Sequence, residues 1–130
     1  MQTLEQKYAE QVYSKVQALI RAYPDEKHAA RTEYGSMAHK LPVLIRTSGL
    51  VQSLAFADSR GKDVSVGQLL QDLAQVIGFE NKDLLIQQSR EAENQAYIKL
   101  THDSILALTW FKRFAQSILK VEPTDESKGE

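Results

Sequence analysis

The chain reads as all-α: a compact bundle of about five to seven helices around a long C-terminal one. Three observations lead there. Apolar residues recur three and four apart, most regularly in the row Leu100, Ser104, Leu108, Phe111, Ala115 and Ile118. No segment alternates apolar and polar residues over strand length, and the turns lack Asn-Gly and Asp-Gly hairpin signals. Pro24, Pro42, Gly49, Gly61 and Gly78 cut the chain into pieces of helical length.

Each element has a local reason. Thr3 followed by Gln6 fits a capping box, in which the hydroxyl and the amide satisfy exposed backbone donors. Leu4, Tyr8, Val12, Val16, Leu19 and Tyr23 then form one stripe, on a helix expected to end before Pro24. Asp25 is the expected N-cap of a second helix, with Glu26 in its first turn, running to about Leu41. Gly35 inside it points to close approach of a neighbouring helix. Pro42 has no N–H to donate, so it is expected to start a new helix or kink the old one. That short helix stops at Gly49, and the helix from Leu50 stops at Gly61.

Ser65 is the expected N-cap of a helix that turns Val66, Leu69, Leu70, Leu73 and Ile77 inward and closes at Gly78. Asn81 or Asp83 opens a short helix with Leu84 and Leu85. The polar run from Gln87 to Gln95 fits an exposed helical turn or a loop equally well. In the last helix Ile105, Ala107, Trp110, Phe114 and Leu119 widen the apolar face, which marks it as central. The folded domain is expected to span residues 1–121. Residues 122–130 have no apolar residue except Pro123 and read as a disordered acidic tail.

Composition bounds the function. A chain of 130 residues supports one compact domain, and 42% hydrophobic with 25% charged residues is a globular balance. The absence of cysteine excludes disulfides and thiolate metal sites. No run of about 18 apolar residues provides a membrane span. The N-terminus MQTLEQKYAEQ lacks the apolar core of a secretory signal, so a cytoplasmic location is expected.

Net charge is −1, yet it is unevenly spread. Residues 34–62 carry Lys40, Arg46, Arg60 and Lys62 against Asp58 alone, and residues 94–121 carry Lys99, Lys112, Arg113 and Lys120 against Asp103 alone. Residues 63–93 and the tail are acidic. The two basic segments are either solvated faces or parts of one surface facing a polyanion.

Catalytic and metal constellations are missing. His28, His39 and His102 have no second ligand at a metal spacing, and no nucleophile elbow, HExxH or glycine-rich phosphate loop occurs. Asp58, Asp63, Asp72, Asp83 and Asp103 are expected at helix ends and on solvated faces. The run TWFKRFA invites a nucleic-acid reading, since an aromatic ring beside cations can stack on a base. The helical spacing of Trp110, Phe111 and Phe114 makes the rings mostly core, which turns Lys112 and Arg113 outward. No catalytic residue, metal or cofactor is assigned.

Three blocks then carry a resemblance. The order Tyr34-Gly35, Lys40-Leu41-Pro42, Leu44-Ile45, Gly49-Leu50 and Leu54-Ala55-Phe56 resembles the small subunit of the type III-B (Cmr) CRISPR effector complex. The stretch from Ala107 to Leu119 is similar to that family's second block, and EQKYAEQVY to its opening helix. The likeness runs from about Glu5 to Leu119. It implies a helical bundle without catalytic activity inside a ribonucleoprotein that carries a CRISPR guide RNA and targets complementary RNA. Its implied partners are the backbone and large Cmr subunits, copies of itself, and the guide and target RNA. The implied role is to help form the groove along which the guide–target duplex lies.

Lys40, Lys112 and Arg113 fall on basic positions of the two blocks, and are expected to face RNA or a neighbouring subunit. Arg46 and Arg60 join them on local charge. The competing reading is a helical adaptor or homodimeric bundle with no RNA role.

Overall fold

The computed structural model describes residues 1–60 and 64–124. Among them are six helices and no strand: α1 (Leu4–Ala22), α2 (Ala29–Ser48), α3 (Leu50–Ser59), α4 (Val64–Val76), α5 (Lys82–Glu91) and α6 (Asn94–Ser117). The expected compact bundle with a long C-terminal helix is what forms. No helix among the described residues is long and apolar enough to cross a membrane.

Local chemistry sets several boundaries as expected. Thr3 Oγ1 accepts from Gln6 N at 3.1 Å and Gln6 Oε1 accepts from Thr3 N at 2.8 Å, a complete capping box. α1 ends at Ala22, just ahead of Tyr23-Pro24. Asn81 caps α5 by accepting from Leu84 N. Gly49 has φ +85, a backbone state that side chains with a Cβ rarely adopt, and it separates α2 from α3.

Four expectations need correction. Asp25 does not cap α2: its carboxylate accepts from Lys27 N in a tight turn, and His28 caps the helix instead, with Nδ1 accepting from Ala30 N. α2 does not stop near Leu41, nor does a new helix start at Pro42. Pro42 is buried inside one continuous helix of 20 residues, where packing offsets a local cost of about 3 kcal/mol. Ser65 lies within the first turn of α4, buried, and its hydroxyl donates to Glu33 at 2.8 Å. Gly35 is approached not by a helix but by Val121, in the segment after α6.

The polar run resolves into both of its alternatives. α5 continues to Glu91, the chain breaks at Ala92–Glu93, and α6 begins at Asn94 with φ +46. The stop expected at Gly61 lies outside the described residues, as do tail residues 125–130. The last described turn of α3 ends at Ser59, with Arg60 as its C-cap.

α2 contributes more buried residues than any other described helix, ten of its twenty. Arg31 at its start reaches the carbonyl of Leu119 beyond the end of α6. At the other end Val51 N, just past Gly49, donates to Tyr97 near the start of α6. α2 and α6 therefore run antiparallel, with Tyr34 and Phe111 edge to face at 6.2 Å. Both rings are fully buried among Leu41, Leu54, Leu69, Leu73 and Leu108.

Candidate basic surface

The five basic residues singled out above occupy three helices. Lys40 and Arg46 are on α2, Arg60 caps α3, and Lys112 and Arg113 are adjacent on α6. Arg46 and Arg113 are exposed; the other three are half-buried. Arg113 stands outward as the wheel of α6 requires, and Lys112 beside it is half-buried. Arg113 is two residues, or about 200°, around from the buried Phe111. Lys40 is half-buried, on a stretch of α2 whose residues from Tyr34 to His39 are all buried.

The antiparallel packing decides which of them are neighbours. With Tyr34 level with Phe111, Lys112 and Arg113 lie beside the first half of α2. Lys40 stands about 9 Å further along α2 and Arg46 about 18 Å, at 1.5 Å of rise per residue. Lys40 is the twelfth of the twenty residues of α2, so it and Arg46 both lie in the second half of that helix, away from the level of the α6 pair. Among the described residues no hydrogen bond or ion pair engages the side chains of Lys40, Arg46, Lys112 or Arg113. The carboxylates of the two basic segments pair with other lysines: Asp58 with Lys82 at 2.7 Å and Asp103 with Lys99 at 2.6 Å. Their hydrogen bonds hold both lysines above the usual ammonium range.

Trp110 was expected in the core and is only half-buried. It leans on Phe114 at 5.5 Å, on the flank of α6 that meets α1 through Tyr13. The helical wheel explains this: Trp110 is one residue, about 100°, off the buried Phe111.

The histidines do not converge. His28 packs against Tyr23 at 4.5 Å, His102 is 3.7 Å from Asp103, and His39 is buried. No group of three His, Asp or Glu side chains among the described residues could hold a metal. Asp72 corrects the expectation of solvated carboxylates. It is buried, and accepts from the Tyr34 hydroxyl at 2.6 Å and from the Gln68 amide at 2.8 Å. Burial raises its carboxyl above the ordinary value, against the two hydrogen bonds and Lys15, which pull it down.

Sequence reasoning missed the residues that fasten the chain end. Arg31 is 2% exposed and pairs with no carboxylate among the described residues. Its guanidinium donates to the carbonyls of Tyr23, Pro24, Ile118 and Leu119, at 3.1–3.4 Å. One cation thus satisfies carbonyls at the C-terminal ends of both α1 and α6, where the helix dipole favours positive charge. His39 Nε2 bonds the Val121 carbonyl at 2.8 Å, and Val121 N donates back to Ala115 O at 2.9 Å. The only trace of this in the sequence is the apolar pair Leu119 and Val121 after the last turn of α6.

The geometry is that of a six-helix bundle among the described residues, and the comparisons agree on that fold. The family model described as "CRISPR-associated protein (Cas_Cmr5)" matches residues 4–118. A curated protein of Thermus thermophilus, "CRISPR system Cmr subunit Cmr5", is 44% identical over 120 residues, which is 92% of this chain and 99% of that one. The X-ray structure of a CRISPR-associated Cmr5 family protein, also from Thermus thermophilus, superposes with a TM-score of 0.80 at 45% identity. It covers 91% of this chain and 98% of its own. A match this long, in sequence and in fold, means that the chain belongs to the CRISPR-associated Cmr5 family.

Proposed function

We propose that the chain is a non-catalytic structural subunit of a type III-B (Cmr) CRISPR ribonucleoprotein that targets complementary RNA. It acts in the cytoplasm as one folded domain, residues 1–121, followed by an acidic tail. Copies stack along the complex beside the backbone and large subunits, help form the groove that holds the guide–target duplex, and turn their cations to that RNA or to a neighbouring subunit. The observation that carries this is the set of cations on two antiparallel helices, Lys40 and Arg46 on α2 and Lys112 and Arg113 on α6, whose side chains make no hydrogen bond or ion pair among the described residues. Arg60 joins them on charge alone. The near-complete match to a protein named as a Cmr subunit supplies the assembly.

Such a subunit needs no basic total charge, because each copy adds a few phosphate contacts to a shared surface. Base pairing reads the sequence, and protein cations hold backbone and shape. Affinity of the isolated chain for RNA is therefore weak and falls steeply with salt.

The test is affinity purification of the tagged chain from its native cell, with sequencing of bound RNA. Recovery of Cmr subunits with repeat-derived guide RNA is the expected result. Recovery of one unrelated protein and no RNA would replace this reading with the helical adaptor. Within the assembly, Lys112→Ala with Arg113→Ala should weaken target RNA capture. It should change stability by less than about 0.5 kcal/mol, since both residues lie away from the core. Unfolding of the double variant would show that these residues serve the fold.

A further inference from the structure

Two of the large apolar side chains left in solvent, Val43 at 52% and Phe56 at 41%, face the same shallow groove. Leu44 and Pro123 complete its apolar wall, His39 lies at its base, and Lys40 stands on its rim. The groove holds about 470 Å³. It is built from α2, α3 and the chain end, and the last of these is fastened by the His39–Val121 bond and by Arg31. An apolar cleft with preset walls and one cation that no carboxylate neutralises among the described residues is specific about what it accepts.

We infer that this groove docks a partner polypeptide through one apolar side chain, with a carboxylate about one helical turn away pairing with Lys40. The inference deepens the subunit reading and rests on it: Lys40 goes to a protein neighbour, while Lys112 and Arg113 remain for RNA. A nucleic acid fits the groove less well. Half of its lining residues are aliphatic, Lys40 is its only lysine or arginine, and the one ring besides Phe56, that of His39, is buried and tied to the Val121 carbonyl, so it is not free to sandwich a base. A symmetric pairing with a second copy would set Lys40 against Lys40 with no carboxylate in the lining between them.

The test places a photoreactive group in the groove of the full chain, as Phe56→p-benzoylphenylalanine, in assemblies purified from the native cell through the tagged chain. The expected adduct is with a different polypeptide, at a residue within four positions of an Asp or Glu. Its yield should fall at least tenfold with Lys40→Glu, and recover when that acid is changed to Lys. An adduct with RNA, with a second copy, or with a peptide lacking a nearby acid overturns the inference. So does the absence of any adduct in a folded, assembled chain. If the Phe56 variant fails to fold, Val43→p-benzoylphenylalanine makes the same test from the opposite wall. Purified assemblies without guide RNA would refute the subunit reading instead, and the adduct's chemistry would still judge the groove.

Discussion

Substituting alanine at two helical glycines separates packing from propensity. A Cβ built on Gly35 meets Val121 Cβ at 2.7 Å, Cγ2 at 2.8 Å and Cγ1 at 2.9 Å. All three atoms belong to one stiff, β-branched side chain, 2% exposed, whose backbone is tied to His39 and Ala115. It cannot swing aside, so the methyl overpacks the site at a cost of roughly 1–3 kcal/mol. Gly67, inside α4, has nothing within 4 Å of the same built atom. Both positions gain about 1 kcal/mol of helix propensity from alanine.

Gly67→Ala should therefore stabilise by about 1 kcal/mol. Gly35→Ala should fall below it by the overpacking cost alone, roughly 1–3 kcal/mol, because the propensity gain cancels in the comparison. Urea unfolding with unchanged slope reads both values. A second measurement closes the cycle: adding Val121→Ala should relieve most of the Gly35→Ala penalty, a coupling of at least about 1 kcal/mol. Equal stabilisation by the two alanines would refute the reasoning. Val121 would then not be seated on Gly35, and the chain end would be free of α2.

Other variants probe the remaining contacts. Trp110→Ala should cost roughly 2 kcal/mol, about half of what a fully buried ring costs, as its half-burial requires; a loss above about 4 kcal/mol in a melt would place the ring in the core. Tyr34→Phe removes the buried donor to Asp72 and should cost about 1–3 kcal/mol by denaturant titration. The pH dependence follows from the same pair. The folded-state carboxyl of Asp72 is raised above its ordinary 3.8, so its contribution is fully present below that value and is lost as pH rises through the folded one. The stability of the wild type relative to Asp72→Asn should accordingly improve as pH falls through that window. An opposite slope would mean that the carboxylate is stabilised as an anion. Arg31→Lys should lower stability by about 2 kcal/mol or more, since a single ammonium cannot serve carbonyls on two helix ends as the guanidinium fork does. Amide exchange should show the loss concentrated at residues 118–121.

Much of the bundle was legible because helix ends are local events. Thr3 and Gln6 complete their box over three residues, Asn81 reaches Leu84, and Gly49 stops α2 through its own backbone angle. The misses are as informative. Pro42 reads as a breaker from its neighbours alone, yet it sits in the continuous, deeply buried middle of α2. Asp25 looks like a cap, but its side chain is spent on Lys27, which leaves the capping to His28. The exposure of Arg113 followed from the spacing of α6, whereas Lys112 is half-buried. That the α6 pair lies level with the first half of α2, and Lys40 and Arg46 with the second, required the antiparallel packing of the two helices.

By itself the sequence determined the all-α class, the helix starts and stops that depend on a residue three or four away, and the motif blocks that mark the family. Only the tertiary structure decided that Arg31 is buried, that Gly35 makes room for Val121, and that the groove beside Lys40 exists. Periodicity and caps report on hydrogen bonds within one turn of chain. The bonds from Arg31 to Leu119 and from His39 to Val121 span 88 and 82 residues, and nothing in the local pattern of α2 encodes which distant segment will close over it.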